Sequence, residues 1–324
     1  LPTGESYSPG GVFTRGIVPL TIGNPTLKWE TTRELNLGFD VGFLDQRITL
    51  SADVYRKKTT DLLLASQLPP TSGYASAFQN IGAVQNQGLE LTLNTINVSR
   101  KAFSWTSNFN IAFNRTKVLE LTRNQSYIQS TVGWSSSSGY GNVPAYEAVI
   151  GQPVAMFYGF QWVGNYQTSD FDQTAGGSYV LKADVPNNGN ARASIKPGDI
   201  KYADLNGDNV VDNNDRTIIG SPNPKFIGGF SNNFSYKNFD LNIFLQGSYG
   251  GELLNANRIM FEGGALKNGL NQFASYADRW TPENPTNELY RVNGQGPRVY
   301  STRIIEDGSY LRLKTVNLGY TLPA

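Results

Sequence analysis

The sequence predicts an all-β protein, an antiparallel transmembrane β-barrel represented by about seven strands and carrying long extracellular loops. Three observations lead there. Apolar residues alternate with Asn, Asp, Ser, Thr and Gly over unusually long stretches. Tight turns and long loops alternate strictly along the chain. The composition, with 34 glycines, 12% aromatics and only 16% charged residues, suits β-structure rich in turns and poor in helix formers.

The first strand is expected near 29–43. In "RELNLGFDVGF", Leu35, Leu37, Phe39, Val41 and Phe43 share one face, while Glu34, Asn36, Gly38, Asp40 and Gly42 take the other. The tight turn "LDQ" leads to a strand near 47–60, where Ile48, Leu50, Ala52 and Val54 alternate with Thr49, Ser51 and Asp53. After the long loop 61–84, "GLELTLN" marks a strand near 85–98 through Leu89, Leu91 and Leu93. The turn "SRKA" joins it to a strand near 103–118, whose Phe103, Trp105, Phe109, Ile111 and Phe113 oppose Ser104, Thr106, Asn108, Asn110 and Asn114. A very long loop, 119–225, precedes strands near 226–236 and 239–250, joined at "KN". Phe239, Leu241, Ile243 and Leu245 set the apolar phase there. The loop 251–308 leads to a last strand near 309–322, in which Leu311 and Leu313 lie in one phase and Val316, Leu318, Tyr320 and Leu322 in the other. A β-bulge near Thr315 reconciles the two phases.

Every tight turn therefore falls at one end of the sheet. The long loops (61–84, 119–225 and 251–308, with 1–28 before the first strand) fall at the other. Outer-membrane barrels have this layout, with short periplasmic turns and long extracellular loops. Leu35, Leu37, Phe39 and Val41 are expected to face lipid, and Asn36, Asp40, Asn108 and Asn110 a watery lumen. Trp29, Tyr55, Phe103 and Trp105 lie near strand ends, where an aromatic girdle would sit. The alternative is a soluble, calcium-stabilised β-rich module for glycan binding or adhesion, which would also alternate. Against it stand strands well beyond the usual length of about five to six residues and loops uncommon in compact soluble domains.

No run of 18 apolar residues offers a transmembrane helix. The opening "LPTGESYSPGG" lacks the basic start and apolar core of a signal peptide. With no Cys and no His, a thiol nucleophile, a disulfide framework, a Ser-His-Asp triad and a His-ligated zinc are excluded. Lys+Arg 27 against Asp+Glu 26 gives no reason to expect nucleic acid as a partner. Glu147, Asp170 and Asp172 show no shared framework, so an enzyme is not expected.

The segment "DLNGDNVVDNND" sets four carboxylates within residues 204–215, a repulsion that invites a cation. Against the calcium-loop template, Asp204, Asn206 and Asp208 take positions 1, 3 and 5. The Val210 carbonyl takes position 7, Asp212 position 9 and Asp215 position 12. Asn209, at position 6, tolerates the left-handed conformation required there, and Val211, at position 8, is the inward-packing residue. Asp at position 12 is one methylene shorter than Glu, which brings Mg²⁺ into contention with Ca²⁺. The expected role is structural: pinning a loop too polar to build its own core. A solvated Asx-rich turn is the alternative. The aromatics Trp134, Tyr140, Tyr146, Tyr158, Trp162 and Tyr166 are expected mostly to pack rather than to stack on sugars. "GLNQFASYADRWTPENPTN", with Phe273, Tyr276, Ala277 and Trp280 spaced helically, reads as a short loop helix.

Several long stretches resemble one family in register and order. "NPTLKWETTRELNLGFDVGFLDQRITLSADVYRKKTTDLL", "NIGAVQNQGLELTLN", "DLNGDNVVDNNDRTIIGSPNPKFIGGFSNNFSYKNFDLNIFLQGSYGG", "RWTPENPTN" and "SYLRLKTVNLGYTLP" are similar to SusC/RagA-like TonB-dependent outer-membrane transporters. The resemblance covers nearly the whole chain, with 120–195 the least recognisable part. It implies a larger plugged barrel in the outer membrane of a Gram-negative bacterium, importing an oligosaccharide or peptide. A SusD-like surface lipoprotein and the TonB complex would be its partners. The plug and TonB box have no counterpart here, so the chain is expected to be an internal piece of the C-terminal half of the barrel.

Overall fold

The computed structural model describes residues 6–7, 14–15, 22–68, 70–74, 76–121, 125–133, 139–263 and 271–323. Seven long strands form one sheet: β1 (Thr31–Phe43), β2 (Ile48–Thr60), β3 (Ala83–Arg100), β4 (Phe103–Glu120), β5 (Phe226–Tyr236), β6 (Phe239–Tyr249) and β7 (Tyr310–Tyr320). Their order across the sheet is their order in the chain, and every neighbouring pair is antiparallel. Among the described residues β1 and β7 are its edges.

The register gathers the apolar phase of each strand on one face. One transverse row runs Val41–Leu50–Leu93–Phe109–Phe230–Leu245–Leu313. The adjacent row, on the opposite face, is Asp40–Ser51–Thr92–Asn110–Gly229–Gln246–Arg312. A slip of one residue in any strand would exchange the two, so this pairing is strongly specified. Between β6 and β7 the partners pass from Phe244↔Thr315 to Leu245↔Leu313, leaving Lys314 outside the ladder. This is the bulge expected near Thr315. The tight turns carry positive φ at Leu44, Asp45 and Gln46 (53°, 54° and 66°) and at Lys237 (53°).

Among the described residues, the apolar side chains of β1 are left uncovered. Leu35 and Leu37 are 74% exposed and Phe39 62%, so the second layer that a soluble sandwich requires is not there for these side chains. Aromatic rows bound this face at both ends. Phe103, Tyr236, Phe239 and Tyr320 are successive cross-strand partners near the tight turns, with the Phe239 and Tyr320 rings 4.6 Å apart. Near the long loops, Phe226 lies 5.9 Å from Phe113 and 5.3 Å from Tyr249. Along β5 the two rows are separated by about 34 Å at ~3.4 Å per residue. With a strand tilt of ~40° that is about 26 Å along the barrel axis, the height of an outer-membrane apolar band.

Two expectations need correction. Tyr55 is not part of a girdle: it pairs with Asn36 and Gly88 in the polar phase, where a Cβ on Gly88 would lie 2.6 Å from its hydroxyl. Its odd position, next to apolar Val54, dictates this. The helix expected around Phe273–Trp280 is a 3-10 turn, Ala274–Asp278. An unexpected α-helix spans Ala256–Phe261, capped by the Asn255 side chain, which accepts the Asn257 N–H.

Candidate functional site

The hydrophobic clusters of the described residues belong to the long loops rather than to the sheet. One cluster joins Phe160, Ile200, Tyr202 and Val211 to Tyr290 and Val299. A second joins Tyr140 and Ala145 to Ile259, Tyr300 and Ile304. Both draw on residues before β5 and after β6, so the two loops that flank this hairpin fold as one body. Backbone bonds stitch them: Phe160 N–H donates to the Tyr300 carbonyl at 2.9 Å, and Thr302 N–H to the Phe160 carbonyl at 3.0 Å. Ile200 N–H donates to the Gly294 carbonyl at 2.7 Å, and Arg291 N–H to the Gly198 carbonyl at 2.8 Å.

Several buried charges inside this body are paired. Glu262 receives Arg303 at 2.6 Å and Arg258 at 3.0 Å, and the Arg303 guanidinium stacks over Tyr290, 4.7 Å from the ring centroid. Burial pushes the Tyr290 phenol up to about 12. It pushes Tyr140, Tyr166 and Tyr202 upward as well. Asp199 lies 2.7 Å from Arg291, yet burial outweighs that attraction and raises its carboxyl above the ordinary range.

The acidic turn is built from Asx turns. Asp204 accepts the N–H groups of Gly207 and Asn209, both at 2.7 Å. Asn206 Oδ1 accepts Asp208 N–H at 3.0 Å, and Asp208 Oδ1 accepts Val210 N–H at 2.8 Å. Asp212 Oδ1 accepts Asn214 N–H at 2.7 Å. Asp215 is fully buried and holds the turn closed, accepting Leu205 N–H at 2.7 Å and Asp212 N–H at 2.8 Å. Asn209 has φ 62° and Val211 is buried in the core cluster, as the template requires at positions 6 and 8. Backbone N–H donors thus answer the repulsion among the carboxylates. Among the described residues no three His, Cys, Asp or Glu side chains are grouped closely enough to hold a metal ion. The oxygen-only donor chemistry suits a hard cation, but the carboxylates are turned towards the backbone.

The aromatics of this region mostly pack. Tyr140, Tyr158 and Tyr166 are buried, Tyr146 and Trp162 pack against the clusters, and Trp134 lies outside the described residues. The isolated acids have structural roles too. Glu147 accepts Gln129 Nε2 at 3.0 Å, and Asp170 pairs with Lys201 at 3.1 Å while accepting Gln167 N–H at 2.8 Å. Asp172 is exposed on a two-stranded ladder, opposite Val180. The joining of the two loops had no signal in the sequence, because its partners are some 140 positions apart, as for Trp162 and Thr302.

Known proteins share this architecture. The family model described as "TonB dependent receptor-like, beta-barrel" matches residues 2–206. "TonB-dependent receptor P3" of Formosa agariphila is 36% identical over 317 residues, 97% of this chain and 29% of the relative. "TonB-dependent receptor SusC" of Bacteroides thetaiotaomicron is 28% identical over 304 residues, 92% of this chain and 26% of the relative. The chain thus spans under a third of the length of these relatives. A solved "RagAB peptide importer in the 'open-open' state" matches with a TM-score of 0.73 at 25% identity, covering 100% of this chain and 31% of that one. With the sheet, its faces and its loops in agreement, the chain belongs to the TonB-dependent receptor-like β-barrel family.

Proposed function

We propose that this chain forms one wall and the extracellular loop body of a TonB-dependent importer in the outer membrane of a Gram-negative bacterium. It would admit an oligosaccharide or peptide too large for passive pores, working with a SusD-like surface lipoprotein. One observation carries the reading. An uncovered apolar sheet face, about as tall as a bilayer's apolar core, ends in long loops that fold together on one side only. The likeness to proteins named SusC and RagAB supports it. Energy would come from the TonB complex, coupled through a plug and TonB box rather than through these strands. The test uses the full-length protein in its native host. It should fractionate with the outer membrane and co-purify with a surface lipoprotein, and its deletion should abolish growth on one oligomeric nutrient but not on the monomer. Recovery in the soluble fraction without detergent, or unchanged uptake, would overturn the proposal.

We further propose a structural Ca²⁺ or Mg²⁺ in the acidic turn, taken up by Asp204, Asn206, Asp208, the Val210 carbonyl, Asp212 and Asp215. The left-handed Asn209 and the buried Val211 support this reading. The ion would reinforce a turn that already closes on its own hydrogen bonds.

A further inference from the structure

On strands β1–β4 the apolar face gives way, on the loop side, to cations. The row Leu37–Val54–Leu89–Phe113 is followed by Leu35–Arg56–Gln87–Arg115, and then by Arg33–Lys58–Gln85–Lys117. The five cations are exposed, and none of them is ion-paired with a carboxylate among the described residues. Glu120 stands one row further out, opposite Ala83. Arg33 and Lys58 are direct cross-strand partners, an arrangement of like charges that destabilises a sheet unless an anion lies between them.

The glutamines and the loop base hold two of the arginines in place. Arg56 Nε donates to Gln85 Oε1 at 2.9 Å, and Gln85 Nε2 donates to Gln87 Oε1 at 2.9 Å. Arg115 donates to the Lys225 carbonyl at 2.9 Å. Below them a groove of about 630 Å³ opens on the outer face, floored by Leu37, Val54, Leu89 and Phe113, with Arg56 and Arg115 at its mouth.

We propose that this groove and its cationic rim bind an anionic, phosphate-bearing lipid of the outer leaflet. Its acyl chain would lie in the groove and its phosphate among Arg56, Arg115, Lys58 and Lys117. Guanidinium groups match phosphate in two-pronged hydrogen bonds, and a bound phosphate removes the Arg33–Lys58 repulsion. The occupant is a lipid rather than free phosphate because the rim is continuous with an apolar groove. It also stands just beyond the aromatic row of Phe113, Phe226 and Tyr249, on the loop side, where headgroups lie. The inference rests on the membrane-barrel reading proposed above.

The test uses the full-length protein in neutral detergent, with native mass spectrometry of added diphosphorylated lipid A and of its dephosphorylated form. The phosphorylated lipid should be retained in clear preference. In Arg33→Gln/Lys58→Gln/Lys117→Gln, three exposed side chains with no hydrogen bond or ion pair of their own among the described residues, that preference should fall by at least about tenfold, the scale expected on removing three cations near a headgroup. Unchanged heat-modifiable gel mobility would show that the variant is folded. Equal retention of both lipids, an unaffected variant, full competition by inorganic phosphate alone, or a second copy of the chain occupying the face would each overturn the lipid site. A protein that is soluble without detergent would instead overturn the barrel reading beneath it.

Discussion

Gly159 and Tyr300 meet backbone to backbone: a Cβ at position 159 would overlap the Tyr300 carbonyl oxygen. The contact lies beside the Phe160–Ser301 bridge that ties the two loops together. Gly159→Ala should therefore force the loops apart at their seam, at a cost of about 1–3 kcal/mol, typical of overpacking. Limited proteolysis of the full-length protein should show new cleavage within 139–225 and 271–308 with the strands intact. An unchanged digestion pattern would mean that the seam tolerates a methyl group.

The two faces of the sheet predict opposite responses to charge at adjacent positions. Leu91 lies in the apolar row with Ala52 and Ile111, and Thr92 in the polar row with Ser51 and Asn110. Leu91→Arg should cost about 2–4 kcal/mol in lipid vesicles, and Thr92→Arg far less. Denaturant unfolding of the full-length barrel in vesicles would measure both. Equal costs would contradict a lipid-facing Leu91.

In the acidic turn, two substitutions separate the hydrogen-bond frame from the proposed cation. Asp215→Ala leaves the Leu205 and Asp212 N–H groups without their acceptor, at up to about 1–3 kcal/mol for each of these part-buried donors. It should raise protease sensitivity across 195–225 whether or not chelator is present. Asp208→Ala removes an exposed carboxylate whose bond to Val210 N–H water can replace, so it should raise protease sensitivity far more in chelator-free buffer containing Ca²⁺ or Mg²⁺ than in chelator. If chelator changes nothing in the parent protein, the turn carries no ion.

Alkali should attack the loop body through its tyrosines. Tyr140, Tyr166, Tyr202 and Tyr290 all have folded-state values raised above the ordinary 10.0 by burial, Tyr290 to about 12. The native state therefore holds its phenolic protons longer than the unfolded chain does. The stability this confers is complete below pH 10.0 and is lost as pH rises through the raised values. Tyrosinate absorbance should then grow cooperatively, together with proteolysis of the loops. Ionisation near the ordinary value with protease resistance retained would sink this expectation.

The strands were legible because a sheet between lipid and water writes its two environments into alternate residues. The strand expected at 226–236 is Phe226–Tyr236, and the bulge near Thr315 followed from a phase change alone. The acidic turn was legible at Asn209 and Val211, whose roles are set by local geometry. What escaped depends on partners distant in the chain. Phe160 meets Tyr300 across an intervening hairpin, and the row Arg33–Lys58–Gln85–Lys117 exists only once four registers are known. The helix Ala256–Phe261 is only six residues long, too short to display a helical period.

The seam between the two loops also orders events in time. Its partners are separated by some 140 positions, with β5 and β6 between them. Contacts so remote in the chain form slowly, after local ones. We therefore expect the hairpin to be in place before the loops meet, the loop body acting as a latch over a completed insertion. We expect pulse-labelled protein to acquire protease resistance at 271–308 after, and never before, β5 and β6 become protected. Resistance of that segment in chains whose hairpin is still accessible would show that the loops assemble first.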